Sequence, residues 1–118
     1  MGLIEELGLD LLALWGDPVA QRRIWKAHDP YYLAKRLRST PVYMSVGNGE
    51  AGPLDEPGTF DDGEAFWYEM NLVTADRFEK VGVPLATNFY GPGTHTWPYW
   101  ERELHRSLPL LLGALRRH

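Results

Sequence analysis

The 118 residues are 44% hydrophobic and 24% charged, the balance of one ordinary globular domain with room for a modest core but not for a large twisted sheet. A net charge of −4, with basic residues scattered apart from Arg22-Arg23 and Arg116-Arg117, argues against a nucleic-acid partner. Cysteine is absent, which removes disulfides, thiolate nucleophiles and cysteine-based zinc sites.

In chain order, residues 3 to 14 suit a leucine-rich helix that Gly8 weakens and Trp15-Gly16 closes. Glu5, Glu6 and Asp10 interrupt its apolar run, so neither a secretory leader nor a membrane span is expected there. The stretch from Leu108 to Leu115 is too short to cross a bilayer. Asp17-Pro18 and Asp29-Pro30 each place a side-chain oxygen at an N-cap and proline at the first helical position, predicting two short helices. Val42 to Val46, bounded by Thr40-Pro41 and Gly47-Asn48-Gly49, reads as a strand.

Residues 50 to 62 read as an exposed loop whose acids face solvent. A helix is expected from near Asp62 to about Lys80, burying Phe66, Met70, Val73 and Phe78. Val83 to Phe89 suits a second strand, ended by Gly91-Pro92-Gly93. A terminal helix follows from about Pro98, which Pro109 should kink or restart.

Strand, helix, strand makes an α/β fold with two parallel strands and flanking helices. Two parallel strands are too few for a sheet of that kind, so the fold is expected to be partial and completed by association. A free strand edge and an apolar helix face favour a homo-oligomer, by strand exchange or through the N-terminal helix, or pairing with a separate first half.

His95 lies after a strand, on a Gly/Pro-shaped loop, just before a helix, where an imidazole can enter a cleft and shuttle protons if a carboxylate fixes its tautomer. Glu50, Asp55, Asp61, Asp62, Glu64 and Glu69 all follow the first strand and precede His95, and order does not choose among them. His28, His105 and His118 have no supporting motif, and Trp100 is assigned to the core. With no HExxH, paired histidines or EF-hand pattern, neither a metal nor another cofactor is expected.

The stretches TPVYMSVGNG, AFWYEMN and GTHTWPYWERELH resemble, in order, parts of the cell-envelope mycolyltransferases and the related esterase D-like family of α/β-hydrolases. The resemblance runs from about Trp15 to the terminal helix, so residues 1–118 correspond to the C-terminal portion of such a domain. It implies a partial α/β-hydrolase fold and a serine esterase or acyltransferase, passing an acyl group from an ester or glycolipid to water or a sugar hydroxyl. It implies His95 as general base, Glu69 as the triad acid with Asp55 the main substitute, and Trp97 and Thr96 on the substrate side. It also implies a location outside the membrane.

The family's GxSxG nucleophile elbow has no counterpart in these residues. Ser39 precedes a strand, Ser45 lies within one, and Ser107 sits in the last helix. Ser45 stands where some mycolyltransferases carry cysteine, so thiol chemistry does not transfer. The isolated chain is therefore expected to be inactive, and the alternative reading is a noncatalytic half-domain that self-associates or binds.

Overall fold

The computed structural model describes Gly8 and residues 10–116, which divide into two units, one ending at Leu33 and one beginning at Ala34. In the first, α1 (Leu11–Trp15) starts at Asp10, whose carboxylate accepts the Leu12 N–H at 2.9 Å, and stops at Gly16 with φ 72°. The rest of the helix expected over residues 3 to 14 lies outside the described residues. Asp17-Pro18 opens a turn rather than a helix. The Asp17 carboxylate takes the Val19 and Ala20 N–H groups, and α2 (Arg22–His28) begins only after Gln21. Asp29 does open α3 (Pro30–Leu33), accepting the Tyr31 N–H at 2.8 Å. Trp15 meets Trp25 edge-on and stacks on His28, and Trp25 Nε1 donates to the Gly16 carbonyl, so His28 is a packing residue.

The second unit runs through a 3-10 turn (Ala34–Leu37), β1 (Val42–Gly47), α4 (Asp62–Val81), β2 (Leu85–Gly91) and α5 (Trp97–Leu115). The strands pair in parallel, Val42 opposite Leu85 and Ser45 opposite Asn88. Val46 faces Phe89 and Gly47 faces Gly91, so Tyr90 is an extra residue bulged from β2.

β2 starts two residues later than the sequence suggests because Val83 is still closing α4. Gly82, in the left-handed region at φ 80°, and Val83 donate their N–H groups back to the last turn, Val83 reaching the Phe78 carbonyl. The ladder begins with Val42 N–H on the Pro84 carbonyl.

Alternate strand residues address opposite faces. Val42, Met44 and Leu85 pack on a core of Ala34, Phe78, Val81 and Val83, which puts α4 on that face. Phe89 joins them through an edge contact with Tyr68 of α4. Tyr43 and Asn88 point the other way, to α5.

The side of α4 turned to the sheet carries Glu64, Ala75, Phe78 and Val81. Of the four residues expected inside, only Phe78 is buried. Phe66, Met70 and Val73 are 41, 42 and 53% exposed, because their stripe lies about 160° around the helix from Glu64. α5 continues through Pro109 without a restart, and because Pro109 and His105 are both exposed, the His105 carbonyl that the proline cannot serve has access to water.

α5 is tied to both strands by one buried carboxylate. Glu103 Oε2 accepts Tyr43 Oη at 2.9 Å and Asn88 Nδ2 at 2.7 Å, while Oε1 accepts Arg102 Nε at 3.0 Å and Arg106 Nη1 at 2.7 Å. Burial pushes the Glu103 carboxyl up, and the hydrogen bonds from Asn88, Tyr43 and Arg102, with the Arg106 charge, more than offset it and hold it below its ordinary value. A depressed carboxyl contributes stability above its unfolded pKa and loses it as pH falls through the folded one. Glu103→Leu should cost about 3 kcal/mol at neutral pH, and the gap from the parent should shrink below about pH 4, as denaturant unfolding at several pH values will read.

Candidate active site

Two loops leave the same end of the sheet and are forced together. A Cβ on Gly47, the last residue of β1, would strike the Gly93 carbonyl oxygen and the Tyr90 ring, so the histidine loop lies on the β1 end only because no side chain intervenes. Gly49, at φ 85°, donates its N–H to the Gly93 carbonyl and accepts the Asp61 N–H at 2.8 Å.

His95 projects from the β2–α5 loop, with its side chain 49% exposed, and its Nδ1 lies 2.7 Å from Glu64 Oε2 in the first turn of α4. Glu64 is 3% exposed, and its Oε1 accepts the Gly47 N–H at 2.8 Å and faces Tyr90 Oη at 3.4 Å. A carboxylate only accepts, so it places the imidazole proton on Nδ1 and leaves the Nε2 lone pair free as a base. Tyr90 is pushed well above the usual phenol range, by burial first and then by the charges of Glu64 and Glu103, so it stays a neutral donor.

The loop 50–62 is exposed over most of its length, as expected, with Glu50, Glu56 and Asp62 facing solvent, but Asp55 is half-buried and pins it. Asp55 accepts Thr94 Oγ1, Tyr99 Oη at 2.7 Å and the Gly52 N–H at 2.9 Å. Burial raises the Asp55 carboxyl, and the hydrogen bonds from Thr94, Gly52 and Tyr99 override that and leave it lowered. Tyr99 is fully buried and stacks on Tyr90 at 5.6 Å.

Beside the imidazole, Trp100 meets His95 edge-on at 4.7 Å and Trp97 meets Trp100 at 4.9 Å. Trp97, Trp100, Glu101 and Leu104 line an open hollow of about 490 Å³. Thr96 is exposed and its Oγ1 lies 3.3 Å from Thr94 Oγ1.

Residues 9–111 match the model of the esterase family described as "Putative esterase". The chain belongs to that family. It is 32% identical over 108 residues to the diacylglycerol acyltransferase/mycolyltransferase Ag85B of Mycolicibacterium smegmatis, covering 86% of this chain and 33% of the relative. With Ag85B of Mycobacterium avium it shares 34% over 110 residues (87% and 32%), and with Ag85C of the same organism 30% over 115 residues (86% and 30%). The chain thus spans about a third of the length of these curated relatives. No solved structure matches it.

Within this esterase-family chain the carboxylate that meets the histidine is Glu64, which corrects the expectation of Glu69. Five residues along a helix turn a side chain about 140°, and Glu69 is exposed on the far side of α4. Asp55, the expected substitute, holds the loop and not the imidazole. Trp100, assigned to the core, stands against His95.

His105 is exposed on α5, and His118 lies outside the described residues. Among the described residues no serine hydroxyl hydrogen-bonds to His95. Ser39 is exposed, Ser45 is half-buried in β1, and Ser107 donates to the Leu104 carbonyl. Among them, too, no cluster of three or more His, Asp or Glu is placed to hold a metal ion, and no helix is long and apolar enough to cross a membrane.

The signal that could have singled out Glu64 is Asp61-Asp62-Gly63-Glu64, an N-cap aspartate with a glutamate three residues on. Nitrogen-15 NMR of the imidazole tests the pair without a reaction. The neutral His95 ring should be a single Nδ1–H tautomer, turn into a mixture in Glu64→Ala, and be unchanged in Glu69→Ala.

Proposed function

We propose that this chain supplies the acid and the base of a serine esterase or acyltransferase, Glu64 and His95, to a nucleophile contributed from outside these 118 residues. The 2.7 Å Glu64–His95 bond carries the reading, since a buried carboxylate bound to Nδ1 leaves Nε2 of the half-exposed ring as the proton acceptor.

In the reaction, Nε2 takes the proton of a serine hydroxyl as its oxygen attacks the ester carbonyl, and Glu64 stabilises the imidazolium. The tetrahedral adduct collapses as His95 returns the proton to the leaving alcohol, giving an acyl-enzyme. Water or a sugar hydroxyl then repeats the cycle and releases the acyl group. The Trp97–Trp100 hollow suits the apolar part of an acyl ester or glycolipid, and Thr96 lies at its margin by sequence only.

The exposed Phe66, Trp67, Met70 and Val73 on α4 favour completion of the sheet and its helix layer by a first half of the domain or by a second copy. Work in the cell envelope or outside the cell accords with this reading. That no serine among the described residues hydrogen-bonds to His95 favours the other reading, a noncatalytic half-domain, for the chain acting alone.

The test is a chimera in which this chain replaces the matching third of the Mycolicibacterium smegmatis relative. Hydrolysis of p-nitrophenyl butyrate should fall about 10⁴-fold in kcat in His95→Ala, about 10²- to 10⁴-fold in Glu64→Gln, and less than about 3-fold in Glu69→Gln. A folded chimera that is inactive, or whose turnover ignores His95, contradicts the proposal. The 118-residue chain alone should match its own His95→Ala background and take up no serine-directed phosphonate, and His95-dependent turnover with a labelled serine would sink the external nucleophile.

A further inference from the structure

Asp61 sits between the two halves of the pair and is bound on every side. Its Oδ1 accepts the Glu64 N–H at 3.0 Å, capping α4, and its Oδ2 accepts the backbone N–H of His95 at 2.9 Å, 34 residues away. Its own N–H donates to the Gly49 carbonyl at 2.8 Å, and its carbonyl receives the Ala65 N–H at 3.1 Å. One carboxylate therefore fixes the backbone of the acid with one oxygen and the backbone of the base with the other.

We propose that Asp61 is a positioning residue, a clamp that sets the separation of Glu64 and His95. The inference rests on the reading of those two as acid and base. Its physical content is that the Glu64–His95 bond closes between an α4 side chain and the side chain of a half-exposed histidine loop, which no regular ladder holds in place. Thr94 anchors that loop through Asp55 on one side of His95, and among the described residues the backbone N–H of His95 itself is held by Asp61. Gly49, which accepts the Asp61 N–H and donates to the Gly93 carbonyl, still joins the cap to the loop two residues before His95, so losing the carboxylate releases the His95 backbone itself, enough to weaken an oriented pair.

Asp61→Asn separates the two jobs. Asparagine caps a helix about as well as aspartate, yet its amide nitrogen cannot accept from the His95 N–H. In the chain, Asp61→Asn should keep the thermal midpoint and the hydrogen-exchange protection of the Glu64 amide while cutting protection of the His95 amide at least about 10-fold. The imidazole should change from a single Nδ1–H tautomer to a mixture, and in the chimera kcat should fall about 10-fold with KM unchanged. Asp61→Ala should lose protection at both amides. If the ring stays a single tautomer and the His95 amide stays protected in Asp61→Asn, the clamp is wrong although the pair stands. If Glu64→Ala leaves the ring unaltered, the pair itself is wrong.

Discussion

A carboxylate nearly shut off from water is tolerated only when its lone pairs are filled, and the folded shape of the second unit follows from how Glu64 fills its own. One oxygen takes the end of β1 through the Gly47 N–H and faces the bulged Tyr90 of β2. The other takes the His95 ring. Both strand ends, the start of α4 and the histidine loop thus converge on one side chain. The glycines at 47 and 49 let them converge, since a Cβ on Gly47 would meet the backbone of the histidine loop and one on Gly49 the Asp61 carbonyl at the start of α4.

Three carboxylates divide the work around that point. Glu103 fastens α5 to both strands, Asp55 fastens the loop after β1 to Thr94 and Tyr99, and Asp61 joins the cap of α4 to the histidine loop. Each is met by several donors, which is what offsets its removal from water. The outer side of α4 is different in kind. It presents the exposed apolar side chains Phe66, Trp67, Met70 and Val73. That exposed stripe, with the one-third coverage of the relatives, supports the proposal that a further part of the domain completes the site.

The parallel strand–helix–strand order, the long helix and the histidine loop were legible from turn residues and periodicity, because local chemistry sets them. The Val83 start of β2 was not, since it depends on which N–H groups close α4. The buried face of α4 was misjudged for a related reason: its most apolar stripe is not the side that meets this sheet. Glu69 was preferred by resemblance over a helix position that geometry favours. The Asp61-x-x-Glu64 pattern was readable as a capping box, but only half of one forms. Asp61 caps the Glu64 N–H, while Glu64, instead of reaching back to the Asp61 N–H, turns to Gly47 and His95. A local rule broken for a long-range partner marks a site, and that partner cannot be seen in the sequence.

The most direct trial of a Glu64–His95 unit is a double-mutant cycle on ester turnover in the chimera, with Glu64→Ala, His95→Ala and both together. Two side chains that act as one predict that the double variant is no slower than His95→Ala alone. Losses that simply multiply would contradict the account, because they would mean that Glu64 contributes to turnover by a route that does not pass through His95.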